Sequence, residues 1–275
     1  MVKIVTFNGG LGNQMFLFAF CHALRRRSIL SLVEMDIENT YGQHNGFELF
    51  RLFKAIEYKG GIYYRRVKNL IVKYQTKYLF KEITEDTVLR RPISGVYPFM
   101  VYNGFWQSEH YFKAYETDIR RLFTFDTTSL NPRSAALAPE LRQDNTVSLH
   151  IRRGDYTEHP EFRNICTTDY YRAAVEVINQ QVTNARFYVF TNDATWVRQH
   201  INFVPYQLID WNMQVDSWQD MYLMTQCRHN IIANSSFSWW GAWLNNNCHK
   251  VVVAPQRWFN TLPAEHTVPT GWQCL

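Results

Sequence analysis

From Thr146 to the C-terminus, runs of β-branched and aromatic residues alternate with stretches of helical period. Strands are predicted at 146–152, 186–190, 206–209, 230–233 and 250–254. Helices are predicted between them at about 169–181, 194–201, 217–227 and 237–247. Ala173, Ala174, Val177 and Ile178 give the first helix its apolar face, and Ser217 with Asp220 resembles a capping box opening the third. Such alternation dictates a parallel sheet with helices on both faces. The first half begins in the same way. A strand at 2–7 runs into Asn8-Gly9-Gly10-Leu11-Gly12-Asn13-Gln14, then a helix to about Arg27 and a second strand near 29–33. Phe105-Trp106-Gln107 lies close to a further strand, and 126–145, with Pro132 and Pro139, reads as a link.

At 275 residues the chain is long enough for two α/β domains, expected at 1–140 and 141–275 and facing each other across a cleft. A hydrophobic content of 46% with 19% charged residues excludes a disordered or fibrous chain. The amino terminus reads as a strand rather than a signal peptide, and no apolar run reaches bilayer-spanning length. Five scattered cysteines form no disulfide framework, so a reduced, cytoplasmic protein is expected, with no nucleic-acid partner. The net charge of +5 is concentrated: residues 58–81 hold seven Lys or Arg and no acid, and 5 − 7 leaves −2 for the rest. Val67, Leu70, Ile71, Tyr74 and Tyr78 fall on one helical face there. The segment packs on its own domain with a solvated basic face, or docks peripherally on an anionic membrane surface at its inner face or on an anionic acceptor.

In an open parallel sheet, ligands bind beyond the carboxyl ends of the strands. Three such ends carry unusual residues. The first is His150-Ile151-Arg152-Arg153-Gly154-Asp155, where two guanidinium groups suit a doubly negative group such as a diphosphate. Adjacent strand residues point to opposite faces, so one arginine reaches the ligand while the other is held by a neighbour such as Asp155. The second is Phe190-Thr191-Asn192-Asp193, where Asp193 accepts from a nucleoside or caps the following helix. The third runs from Asn234 through Ser235, Ser236 and Phe237 to Leu244, a strand ending in hydroxyls at a helix start that favours phosphate. Its tryptophans are expected to be buried against the sheet. Together the three ends make a pocket for a nucleotide diphosphate.

No cofactor or metal is expected. The Asp-x-Asp clamp for a divalent cation is missing, its nearest analogues being Glu34-x-Asp36 and Glu116-x-Asp118 in the other half. Zinc held by Cys227, His229, Cys248 and His249 would need a spacing unlike the usual sites. Gly10-x-Gly12 after the first strand imitates a dinucleotide fingerprint, but Met15 stands where its third glycine belongs. A nicotinamide-dependent oxidoreductase and a carbohydrate- or membrane-binding module are the competing readings.

His-x-Arg-Arg-Gly-Asp at 150–155, Phe-Thr-Asn-Asp at 190–193 and Asn-Ser-Ser-Phe-Ser-Trp-Trp-Gly-Ala-Trp-Leu at 234–244 resemble the motifs of the α1,2-fucosyltransferases. The segments 9–16 and 104–112 are similar to two others of that family. The resemblance implies a GT-B fold of two Rossmann-like domains and fucose transfer from GDP-β-L-fucose to the 2-hydroxyl of a terminal β-galactoside, with inversion. By that resemblance Arg152 would bind the β-phosphate, supported by Arg153 with Asp155, and His150 and Asp193 would contact the guanosine. Ser235, Ser236 and Phe237 would hold the pyrophosphate, while Gly10, Gly12 and Asn13 would bring the first domain's loop against diphosphate and fucose. Asn13 would also orient the acceptor hydroxyl. The base that takes its proton stays open among Glu34, Asp36 and His44. A lipid-linked oligosaccharide acceptor is compatible with the basic segment.

Overall fold

The computed structural model describes residues 2–27, 31–37, 40, 44–56, 80–85, 99–261 and 266–275. The predicted basic helix falls almost wholly within 57–79 and lies outside them. Two compact units are formed, by residues 1–124 and 125–275.

The first unit contains β1 (Val2–Thr6), α1 (Leu11–Arg27), β2 (Leu32–Asp36), α2 (Leu49–Leu52), β3 (Phe80–Thr84), β4 (Phe99–Asn103) and α3 (Glu116–Leu122). Its four strands are parallel, in the order β2-β1-β4-β3. The chain leaves β1 toward β2 and returns to its other side with β4, so the direction of winding reverses at β1. The residues following β1 and β4 therefore flank the crevice where such sheets bind ligands. Helix α1 is apolar through most of its length and buries Met15, Phe16, Leu17, Ala19 and Cys21 completely. Arg25 ends the buried stretch, its Nε and Nη2 donating to the Val33 carbonyl at 3.2 and 3.1 Å. Positions 29 and 30 of the strand predicted near 29–33 lie outside the described residues; β2 continues three residues past 33, to Asp36, with Glu34 and Asp36 buried in it.

The second unit contains α4 (Pro132–Leu141), β5 (Thr146–Ile151), the single turn α5 (Asp155–Glu158), α6 (Thr168–Gln181), β6 (Arg186–Thr191), α7 (Ala194–His200) and β7 (Tyr206–Ile209). It continues with α8 (Trp218–Gln226), β8 (His229–Ile231), α9 (Ser236–Leu244), β9 (Val252–Ala254) and β10 (Gln273–Cys274). All six strands are parallel, ordered β10-β9-β8-β5-β6-β7, with the reversal between β5 and β8. Every residue of β5 is buried, the polar Thr146, Ser148 and His150 included, as for a central strand covered on both faces. The link expected at 126–145 is largely the helix α4: Asn131 caps it by accepting from Ser134 N, with Pro132 in the first turn.

The expected capping box at Ser217 does not form. Ser217 has helical backbone angles and makes no side-chain cap bond, while Asp220 turns inward to accept from Asn212 Nδ2 at 2.7 Å. The helix continues a preceding 3-10 turn, so its first amides need no cap. Trp239, Trp240 and Trp243 are buried as expected. All five cysteines are free, and among the described residues no group of three or more His, Cys, Asp or Glu gathers as a metal site. No described helix is long and apolar enough to cross a membrane.

Candidate active site

Strand β5 stops at Ile151, so Arg152 and Arg153 both leave the regular pleat. The strand alternation that would turn them to opposite faces therefore does not extend past Ile151. Both line a cavity of about 250 Å³ with Tyr156, Phe162, Trp196 and Asn234. Gly154 makes the turn with φ +69°, ψ −118°, a conformation closed to most side chains. A Cβ there would also come within 3.1 Å of Asn192 Nδ2.

The partners of the two arginines differ from expectation. Asp155 meets Arg152, not Arg153: Arg152 Nη2 donates to Asp155 Oδ1 at 2.8 Å. Arg153 pairs with Asp193 Oδ2 at 3.5 Å, and its guanidinium lies 4.2 Å from the centre of the Trp196 ring. Its peptide is clamped by Asn192, which accepts from Arg153 N at 2.8 Å and donates to Arg153 O at 3.0 Å. Asp193 also caps α7 by accepting from Trp196 N at 3.0 Å. Parallel pairing of β5 with β6 brings these distant residues together. Arg152 rests over the Tyr156 ring at 5.2 Å, with no protein acceptor on its Nε or Nη1 among the described residues.

Across the reversal, Asn234 and Ser235 are buried at the start of α9, and Ser236 and Phe237 form its half-buried first turn. The Ser235 side chain makes no cap bond to the helix and interacts instead with the Tyr156 phenol, whose pKa burial pushes up to about 12. His150 is buried against Phe237, ring centres 5.9 Å apart. Burial, and secondarily the Arg152 charge, lower its pKa to about 3, so the imidazole is neutral. Among the described residues its Nδ1 is buried with no hydrogen-bond partner.

In the first unit, Gly9 (φ +73°) and Gly10 turn the chain into α1. Gly12 is buried in the helix, and Asn13 is half-buried beside the turn. Asn13 Oδ1 accepts from Gln107 Nε2 at 2.7 Å, joining the first turn of α1 to the loop that follows β4. Tyr156, Asn192, Trp196, Asn234 and Gln107 were given no individual role from sequence. Only the parallel pairing of consecutive strands could have placed Asn192 beside Arg153.

Two units of parallel sheet, the second with a cationic pocket at its winding reversal, define the GT-B class of nucleotide-sugar glycosyltransferases. Glycosyl transferase family 11 matches residues 2–272, and the chain belongs to that family. It is 33% identical over 274 residues to an alpha-1,2-colitosyltransferase of Escherichia coli, covering 94% of this chain and 92% of that one. It is 27% identical over 159 residues to human galactoside alpha-(1,2)-fucosyltransferase 1, covering 54% of this chain and 43% of that one. The fold matches fucosyltransferase NodZ from Bradyrhizobium with a TM-score of 0.55 at 14% identity, covering 87% and 91% of the two chains. The nicotinamide and binding-module readings give way to glycosyl transfer.

The contact between Tyr156 and Arg152 yields a first prediction. Tyr156→Leu removes the ring beneath the guanidinium and should lower kcat/KM about tenfold, the upper range of a partly desolvated cation–π contact. Tyr156→Phe keeps the ring and should stay within about threefold of the parent by the same reasoning. Parental kcat/KM in the leucine variant would show that the ring does not hold Arg152.

Proposed function

We propose that the protein transfers L-fucose from GDP-β-L-fucose to the 2-hydroxyl of a terminal β-galactoside, inverting the anomeric centre without a metal ion. The observation that carries this reading is Arg152, placed at the β5–β8 reversal with two donor positions unspent. As the glycosidic C–O bond breaks, positive charge spreads over the sugar ring and negative charge collects on the β-phosphate. A fixed guanidinium attracts the departing GDP more strongly than the bound donor, and that difference lowers the barrier. Arg153 lies beside Asp193 and against Trp196, its Nε buried without a hydrogen bond among the described residues, and is assigned the supporting charge while Arg152 meets the phosphate directly. Ser235, Ser236 and Phe237 complete the pyrophosphate side, and neutral His150, with its orphaned nitrogen, suits the nucleoside. Gly10, Gly12 and Asn13 serve diphosphate and fucose, and Asn13 also orients the acceptor hydroxyl. A lipid-linked oligosaccharide, met by a protein in peripheral contact with the cytoplasmic membrane face, is the acceptor form proposed.

The similarity to a colitosyltransferase favours a second reading of the donor, since colitose is fucose without its 3-hydroxyl. Incubation with GDP-fucose or GDP-colitose and a panel of β-galactosides in EDTA, with product linkage read by NMR, separates the two. Transfer of fucose to O2 at undiminished rate is expected. Preference for GDP-colitose reassigns the donor, strict need for Mg²⁺ or Mn²⁺ removes the metal-free mechanism, and no transfer from either donor defeats the proposal.

A further inference from the structure

The acceptor hydroxyl must lose a proton, and the structure separates the three side chains considered for that task. Glu34 and Asp36 are only 4% and 6% exposed, in register with Ile4 and Thr6 of the central strand β1. His44 is exposed. Among the described residues both its ring nitrogens lack a hydrogen bond or ion pair.

Its position is nevertheless fixed. Gln14, fully buried in α1, donates through Nε2 to Gly9 O at 3.0 Å and Gly46 O at 2.8 Å, and accepts at Oε1 from Glu48 N at 2.9 Å. One carboxamide thus rivets segment 44–48 to the turn that opens α1. His44 itself takes a left-handed backbone, φ +48°. Its ring lies against Gly10, where a Cβ would meet it at 3.4 Å. Asn13 approaches the neighbouring glycine, its Nδ2 2.5 Å from where a Cβ of Gly9 would stand. Because Gln107 donates to Asn13 Oδ1, the donor end of that amide faces the turn. A free acceptor on His44 and an oriented donor on Asn13 therefore approach consecutive glycines. A sugar hydroxyl, which donates one hydrogen bond and accepts others, needs that pair. The segment's own charges are spent on each other, Arg51 Nη2 meeting Glu48 Oε1 at 2.7 Å, and the first turn of α1 carries no acid.

We infer that His44 is the general base of the reaction and that Asn13 Nδ2 donates to the same acceptor oxygen. The inference rests on the transferase reading above. The hydroxyl oxygen forms its bond to the anomeric carbon as the bond from that carbon to the β-phosphate oxygen breaks. GDP leaves with the electron pair, and the hydroxyl proton passes to the unprotonated imidazole nitrogen and then to water.

His44→Asn tests this, because asparagine tolerates the left-handed backbone but cannot take up a proton. On the whole enzyme, kcat should fall about 100-fold or more, as for loss of a general base. GDP affinity by calorimetry should stay unchanged, and added imidazole should restore part of the turnover. A kcat within about threefold of the parent, far short of that loss, would overturn the assignment, as would a loss that imidazole does not relieve. The two readings fail separately: a parent enzyme that transfers neither sugar defeats the function, whereas an active parent with an active variant defeats only His44.

Discussion

Arg152→Ala should abolish transfer and leave the fold standing. The side chain is 26% exposed and its partner Asp155 56%, so the lost ion pair is a surface one worth at most about 1 kcal/mol. The loss in the transition state is of another size. Removing one preorganised donor from a developing anion typically costs about 10²–10³ in kcat, and Arg152 offers a charged donor at two unpaired positions. The variant should therefore unfold within a few degrees of the parent while kcat drops about 10³-fold or more. Arg152→Lys should recover little, because an ammonium cannot reproduce the planar fork resting over Tyr156. Turnover, GDP calorimetry and a thermal melt on the three proteins decide the matter. Near-parental kcat in the alanine variant would remove Arg152 from the phosphate.

The parts of this site that could be read from sequence are those encoded within a few residues. The run 146–151 announced a buried strand, and the glycine after two arginines announced the turn. The missing information was long-range. The family resemblance set Asp155 beside Arg153, whereas the turn that follows the end of the pleat at Ile151 brings it to Arg152. The true partners of Arg153 sit some 40 positions away at the N-cap and in the first turn of α7, and only sheet pairing brings them close. Strand β2 was misplaced for a related reason: Glu34 and Asp36 oppose a strand by propensity, and burial beside β1 overrides that preference. In α4 the signal was present but outweighed, since Asn131-Pro132 is a good helix start while Pro139 argued for a loop. His44 could be suspected but not chosen over Glu34 and Asp36 until Gln14 was seen to rivet its segment to the α1 turn.

Asp220 carries the largest expected effect on stability. It lies 9% exposed in α8, accepting from Asn212, whose own Oδ1 accepts from Asn131 Nδ2 at 2.7 Å and Ser134 Oγ at 3.1 Å. The carboxyl thereby ties the start of α4 to α8. Burial raises its pKa from 3.8 to about 8, the Asn212 hydrogen bond opposing and the Asp210 charge adding to the rise. The folded state thus holds this proton more tightly than the unfolded chain does. The resulting stability is fully present below pH 4 and is lost as pH climbs through about 8, at about 1.4 kcal/mol per unit. Asp220→Asn stays neutral throughout and keeps the oxygen that accepts from Asn212. Its Tm should follow the parent's near pH 4 and exceed it by pH 8.5, the gap growing by roughly 10–20 °C at about 2–4 °C per kcal/mol. Any cost of fitting the amide is the same at every pH, so only the growth of the gap reports the buried carboxylate. Melts of both proteins across that range measure it, and a gap constant with pH would mean that Asp220 ionises as freely in the fold as in the open chain.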